Sequence, residues 1–336
     1  MTQSPAGESL LVASNISVVF DDATPTLRRL RGGEKGFKAV DNVSLTVAPS
    51  EIMGLVGESG AGKTTLAKTI LRLLEPSAGT LTFVGKDITH ARGVQLLEMR
   101  RRMQMVFQEA HGSLSPRLSV SEAIQEPFRI HRIPSSDRRP VRDLLEAVEL
   151  PGDLTNRYPH EISGGQARRV GLARALALEP ELVIADEPTS GLDVSAAASV
   201  LNLLRDLRDR LGVAYLIVTH DLSIVSYLAD RVAVMYLGEI VEQGPTAEVL
   251  DEPVHPYSML LSASRPHIGG KRLGNGVSAE FTVDVIGEMP SARNPPKGCR
   301  FHTRCPFATE ICSSEAPEPE VVAMGHTVAC HHWRDI

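Results

Sequence analysis

Nine consecutive residues, Gly57-Glu58-Ser59-Gly60-Ala61-Gly62-Lys63-Thr64-Thr65, combine three glycines with a lysine and a threonine pair at a spacing suited to phosphate. The glycines let successive backbone N–H groups turn toward the same phosphate oxygens, and a helix starting behind them adds a favourable field. In this G-x-x-x-x-G-K-T pattern Lys63 is placed to reach the outer phosphates and the Thr64 hydroxyl to coordinate Mg2+. A chance glycine turn would lack the right flanks. Here an apolar strand reads over Ile52–Val56, and a helix over Thr64–Leu74 with apolar residues at Leu66, Ile70, Leu73 and Leu74.

Leu182-Val183-Ile184-Ala185-Asp186-Glu187 is an apolar strand ending in two acids. Ligands of a parallel sheet bind at the carboxyl ends of its strands. Asp186 is therefore expected to hold Mg2+ and Glu187 to polarise an attacking water as general base. Alone, such a pair often only caps the next helix; a phosphate loop in the same chain favours the chemical reading. Ser163-Gly164-Gly165-Gln166, at the start of a helix expected over Ala167–Leu178, forms a second anion nest. A plain helix cap also explains it. Two nests make sense together if one closes over a nucleotide held by another copy.

The elements that must position these groups alternate between strand and helix. Strands read at Leu182–Ala185, Tyr215–Thr219 and Val232–Tyr236, helices at Ala167–Leu178 and Ser195–Leu211, and a hairpin through Leu237-Gly238 to Glu239–Gln243. This predicts an α/β fold, a mostly parallel sheet covered on both faces. The N-terminal stretch, with strands at Leu10–Ala13 and Val43–Val47 around a surface loop at Thr24–Phe37, reads as an antiparallel sheet. Residues about 90–175 are polar, interrupted by Pro116, Pro127, Pro134 and Pro151, and read as a helical subdomain. Beyond Asp251 prolines crowd the chain and long apolar periodicity vanishes. The expected domains are 1–255, a nucleotide-binding core, and 256–336, a small appendage with four cysteines.

A net charge of -6 over 336 residues argues against a general nucleic-acid binder. The longest apolar runs hold six residues, far short of the ~20 that a spanning helix needs. The polar start, Met1–Gly7, lacks the apolar core of a signal peptide. The chain is thus expected in the cytosol unless a partner brings it to a membrane.

With these motifs in place, the chain resembles the ATP-binding-cassette (ABC) ATPases. Ser163–Gln166 resembles the signature motif, Gln108 in Val106-Phe107-Gln108 the Q-loop glutamine, Ser190-Gly191-Leu192-Asp193 the D-loop, and His220 in Thr219-His220-Asp221 the switch histidine. Phe20 resembles the adenine-stacking aromatic, with Val19 in an alternative register. The likeness spans roughly residues 10–250. It implies a head-to-tail dimer with two ATP molecules, each between the Walker A loop of one subunit and the signature of the other, that drives two transmembrane permease subunits. It also implies that Gln108 senses Mg2+ and γ-phosphate, that His220 holds the γ-phosphate, and that Asp193 belongs to the nucleotide site.

The tail narrows the resemblance. His255-Pro256-Tyr257, Ser113-Leu114-Ser115-Pro116-Arg117 and Gly298–Pro306 are similar to peptide and oligopeptide importer ATPases. The resemblance implies a subunit at the cytoplasmic membrane face that couples ATP hydrolysis to uptake of di- or oligopeptides delivered by an extracytoplasmic binding protein. Its dimer partner is an identical copy or a paralogue. Nickel chelates or glutathione are rival solutes, and a soluble ABC ATPase outside transport is a rival class. Cys299, Cys305, Cys312 and Cys330, separated by five, six and seventeen residues, lack paired C-x-x-C spacing. Four thiolates can hold a four-iron four-sulfur cluster, as in some relatives with this tail. Zinc and four reduced thiols are the alternatives, with His326, His331 and His332 as further ligands. Loops this rich in proline are expected not to build an apolar core of their own and to need such a cross-link.

Overall fold

In the computed structural model, which describes residues 9–20, 36–109, 112–264 and 289–336, the apolar runs of the sequence form strands buried along their length. The chain runs through β1 (Leu11–Phe20), β2 (Phe37–Val47), β3 (Ile52–Val56), α1 (Lys63–Ile70), β4 (Ala78–Phe83) and β5 (Lys86–Asp87). It continues through α2 (Gly93–Arg102), β6 (Met103–Val106), α3 (Val120–Ile130), α4 (Val141–Ala147) and α5 (Gly164–Leu176). Next come β7 (Leu182–Asp186), α6 (Val194–Leu211), β8 (Ala214–Thr219), α7 (Leu222–Leu228), β9 (Arg231–Tyr236) and β10 (Glu239–Pro245). The last elements are α8 (Thr246–Asp251), α9 (Pro256–Ala263), α10 (Glu310–Ser314), β11 (Glu320–Ala323) and β12 (His326–Val328). Every residue of β3, β7 and β8 is buried, the mark of strands covered on both faces.

Two units can be distinguished. The first comprises Phe83–Val218 with Val47–Ile52 and the described residues up to Leu11. Its strands β6, β7 and β8 run parallel, with Met103 opposite Leu182 and Leu182 opposite Ala214. Four helices, α2 to α5, fall in the stretch read as helical. Met103–Val106, however, is a strand within it. Four residues are too few to show a period, and this strand follows directly on a helix. A capping box closes the start of α3: the Ser119 hydroxyl accepts from Glu122 N–H and the Glu122 carboxylate accepts from Ser119 N–H at 2.8 Å.

The second unit comprises Val12–Thr46, Met53–Thr82 and Thr219–Ile336. β3 pairs in parallel with β9, placing Met53 opposite Arg231 and Val56 opposite Val234. The turn at Leu237-Gly238 returns β10 antiparallel to β9. The C-terminal hairpin then extends this sheet, with β12 antiparallel to β10 and β11 antiparallel to β12. β1, flanked by β2 and β4, belongs to a separate sheet. The loop expected at Thr24–Phe37 lies outside the described residues except for Gly36 and Phe37, the latter opening β2.

Regular structure continues past Asp251, in α9, α10 and the β11–β12 hairpin. Pro256 occupies the first turn of α9, where its missing N–H costs no helical hydrogen bond. The tail is packed on a core shared with β9, where Phe301 is buried with Tyr236, Val249 and Tyr257.

Candidate nucleotide-binding site

The Gly57–Thr65 loop leaves the end of β3 and closes into α1. Gly62 has φ 104°, and a Cβ there would stand 2.3 Å from the Ala39 carbonyl oxygen. Gly57 has φ 153°, with a Cβ position 2.1 Å from the Met235 carbonyl oxygen. Both positions need glycine for sterics as well as for backbone freedom. No side chain caps α1. Lys63 is buried, and its ammonium donates to the carbonyls of Gly57 at 2.6 Å and Glu58 at 3.0 Å. Ser59, Gly60 and Thr64 are exposed, Glu58, Gly62 and Thr65 are half-buried, and Ala61 is buried. Ala61 N–H donates to Glu58 O at 3.2 Å and Ala61 O accepts from Gly238 N–H at 2.8 Å, fixing the loop against the β9–β10 turn.

Phe20, half-buried at the end of β1, packs its ring 5.6 Å from that of Phe37. Neighbouring Val19 is more exposed. His220 is exposed at the end of β8. Beside it Asp221 accepts from Ser223 N–H at 2.8 Å and so caps α7. Phe20, His220 and the Gly57–Thr65 loop all belong to the second unit.

The remaining residues predicted for the nucleotide site belong to the first unit. Asp186 is buried at the end of β7. Glu187 follows at φ 49°, a left-handed conformation uncommon for a glutamate and of the kind found at functional sites. Its N–H donates to Val218 O at 2.8 Å. Ser163 and Gln166 form a capping box on α5, and the Asp193 carboxylate caps α6 by accepting from Ala196 N–H at 2.9 Å. Gln108, Gly164, Arg168, Ser190 and Gly191 line one open cavity of about 450 Å3, so the Q-loop, signature and D-loop residues come together there. Gly165 is half-buried on the first turn of α5.

Sequence reasoning missed the group that ties these loops together. Arg168 is 6% exposed, and its guanidinium donates to the carbonyls of Glu187 at 3.1 Å, Gln108 at 3.0 Å and Ser190 at 2.7 Å. One planar fork can serve three acceptors in this way. Its place five residues after Ser163, on an otherwise apolar helix face, is the one signal in the sequence.

A second surprise links the tail to the phosphate loop. Arg304 pairs with the Glu58 carboxylate at 3.0 Å, and the Tyr257 hydroxyl accepts from Glu58 N–H at 2.9 Å. Arg300 pairs with Asp41 and, at 2.9 Å, with Glu239, and donates to Leu237 O. Sequence separation had set this tail apart from the nucleotide motifs.

Cys299, Cys305, Cys312 and Cys330 line a single small cavity with Phe301 and His332. Burial pushes the Cys299 thiol up to about 12 and the Cys305 thiol up to about 11, and raises that of Cys330. Among the described residues no group of three or more His, Cys, Asp or Glu stands ready to hold a metal ion. The thiols therefore converge on one space without being drawn into ligand geometry. His331 and His332 line the same cavity, but His326 is committed elsewhere, to Glu242 at 2.9 Å and Glu248 at 3.3 Å.

A phosphate loop between strand and helix, acids at the end of a parallel strand and a glycine-rich helix start define a P-loop ATPase cassette. The ABC transporter family model matches residues 40–190, and the model of the oligopeptide/dipeptide transporter C-terminal region matches 241–312. The oligopeptide transport ATP-binding protein AppF of Bacillus subtilis is 46% identical over 297 residues, covering 88% of this chain and 89% of AppF. A putative peptide import ATP-binding protein of Brucella ovis is 45% identical over 296 residues, 87% of this chain and 91% of that protein. Among solved structures, a dimer of the ATP-binding cassette MJ0796 in a post-hydrolysis state bound to ADP and Pi matches with TM-score 0.61 at 27% identity, covering 70% of this chain and 98% of that one. The cbiO1 protein of Clostridium perfringens, part of the ABC transporter complex cbiONQ, matches at the same TM-score and identity over 73% of this chain and 91% of its own. The chain belongs to the ATP-binding subunits of ABC transporters, in the branch that carries the oligopeptide-type C-terminal region.

Proposed function

We propose that this chain hydrolyses ATP in a head-to-tail cassette dimer and so powers import of di- or oligopeptides. The observation that carries the nucleotide reading is the loop at Gly57–Thr65, with two glycines where a Cβ would meet backbone and Lys63 held over the loop's own carbonyls. Phosphate oxygens arriving at the loop give the Lys63 ammonium a stronger, charged acceptor than a carbonyl. Glu187 takes a proton from the water that attacks the γ-phosphorus; the bond to the ADP oxygen breaks and ADP and phosphate leave. Gln108 and His220 orient that water and the γ-phosphate, while Phe20 stacks on the base. Ser163, Gly164, Gly165 and Gln166 of one copy close over ATP held by the other, with Asp193 at the same junction. Mg2+ would be held by Thr64, Asp186 and Gln108 and would neutralise charge on the phosphates.

The branch with the oligopeptide-type C-terminal region and the names of the relatives support a peptide as the solute. Two permease subunits at the cytoplasmic face of the membrane and an extracytoplasmic binding protein complete the assembly. Among the described residues no helix is long and apolar enough to cross a membrane, so in this reading the subunit is held there by the permeases. We place the domain boundary near residue 255, with a helical subdomain at about 90–175 in the core. The four cysteines, which line one cavity, would be the residues to hold a four-iron four-sulfur cluster. Three of these thiols are held protonated by burial, and bound iron would compensate their deprotonation. Anaerobically prepared protein is then brown and contains iron and sulfide; stoichiometric zinc, or no metal, contradicts that assignment. The transport reading is tested by reconstituting the co-purified assembly in vesicles. Uptake of labelled oligopeptides that requires ATP supports it, and ATP turnover without peptide uptake contradicts it.

A further inference from the structure

Glu58, the second residue of the phosphate loop, is gripped twice from the tail. Its N–H donates to the Tyr257 hydroxyl, and its carboxylate pairs with Arg304. In a trans peptide the N–H of one residue and the C=O of the preceding one point in opposite directions. Holding Glu58 N–H on Tyr257 therefore turns the Gly57 carbonyl the other way, and it is this carbonyl that meets the Lys63 ammonium at 2.6 Å. Tyr257 is fully buried, and burial raises its hydroxyl above the usual tyrosine range, so it stays protonated. Its ring packs 4.6 Å from Tyr236 and 5.4 Å from Phe301. Arg304 stands over both Tyr236 and Phe301, and its guanidinium reaches the Tyr236 hydroxyl at 3.4 Å. Phe301 in turn lines the cavity of the four cysteines, and Arg304 immediately precedes Cys305. A continuous packed path thus runs from the thiols through Phe301 and Tyr257 to the loop that presents Lys63.

We propose that Arg304 and Tyr257 are positioning residues for the phosphate loop, and that through them the state of the four-cysteine region sets the affinity for ATP. The inference rests on the ATP-binding reading above and adds to it a controlling element in the tail. Both residues lie outside the Gly57–Thr65 loop and reach it only through Glu58. They fix the Gly57–Glu58 peptide, so their loss weakens ATP binding while leaving the hydrolytic groups in place.

The test uses the full chain and two readouts, equilibrium binding of a fluorescent ATP analogue and steady-state hydrolysis. Arg304→Gln should weaken analogue binding and raise KM by about three- to tenfold, the scale of one partly buried charge-assisted pair, with kcat within about twofold of wild type. Arg304→Lys should recover most of the loss. Glu58→Gln should weaken binding similarly, and the double variant should be no worse than the weaker single variant, because both remove the same pair. Cys305→Ser should lower affinity in the wild-type background and add nothing to Arg304→Gln. Thermal unfolding of each variant checks that it is folded; should Arg304→Gln unfold, Tyr257→Phe, which removes only the acceptor of Glu58 N–H, carries the same prediction. Wild-type affinity in a folded Arg304→Gln, or additive losses with Glu58→Gln, would overturn the proposal. Failure of the wild-type chain to bind the analogue at all would instead overturn the ATP reading on which it rests.

Discussion

Arg168→Met removes the guanidinium that joins three loops while keeping a stem of similar reach. Three hydrogen bonds to carbonyls are lost, those of Glu187, Gln108 and Ser190. A hydrogen bond involving a charged group contributes roughly 1.5–3 kcal/mol, so three would lose up to about 9 if nothing replaced them. Gln108 is exposed and lines an open cavity, so water can reach its carbonyl; Ser190 and Glu187 are only half-buried. Desolvation of the guanidinium, which burial penalises, is recovered on substitution and offsets part of the loss. A net destabilisation of about 2–4 kcal/mol remains, within the range for breaking a buried network. The second consequence is functional, because Glu187 sits at a strained φ of 49° that Arg168 helps to hold. Hydrolysis should fall by at least about tenfold as the base loses its position. ATP affinity should stay near wild type, since Lys63 and its loop are not among the partners of Arg168. Denaturant unfolding gives the first quantity, and turnover with analogue binding gives the second. A stable variant with wild-type turnover would show that the three bonds are incidental to the site.

Three further outcomes follow from the same geometry. Ser163→Arg places a long cation at the exposed start of α5 and should abolish ATP-driven dimerisation in light scattering while the separated subunit still binds nucleotide; an ATP-dependent dimer of normal turnover would contradict the composite site. Glu242 and Glu248 raise His326, so the clamp of β12 on β10 is fully stabilising below the ordinary histidine value of 6.5 and weakens as pH rises through the raised value. His326→Gln should remove this alkaline loss from the pH profile of thermal unfolding, and an unchanged profile would refute the clamp. His255 acts in the opposite direction: burial lowers it from 6.5 to about 4, so its contribution is present above 6.5 and is lost as pH falls toward 4. His255→Asn should flatten that acid limb, and an acid limb of unchanged depth would refute the assignment.

The parts of the fold legible in sequence are those whose determinants are contiguous. Ile52–Val56, the glycine loop and α1 form one uninterrupted stretch, as do β7 and its terminal acids. Each can be read from an apolar run followed by residues of special conformation. β6 was not legible, because four residues show no period and the preceding helix masks them. The crowding of prolines beyond Asp251 hides α9, because Pro256 sits in its first turn, where it breaks nothing. Arg168 and Arg304 carry no local signal of their partners: Gln108 is 60 residues from Arg168, and Glu58 is 246 residues from Arg304. Their importance comes from a sheet and a core assembled from distant segments, which periodicity cannot show. The thiols are the converse case, since clustering in sequence indicated convergence but spacing could not fix ligand geometry.

The central claim is that ATP is hydrolysed by Glu187 at a site completed by a second cassette. Its most direct test is Glu187→Gln, studied for ATP-dependent dimerisation and turnover in one experiment. The substitution keeps the side chain's size and removes its basicity. The account predicts an ATP-bound dimer that persists in light scattering, with hydrolysis lowered by about 10² or more, the scale of general-base loss. A variant that turns over ATP at the wild-type rate, or that binds ATP and remains monomeric, would contradict it.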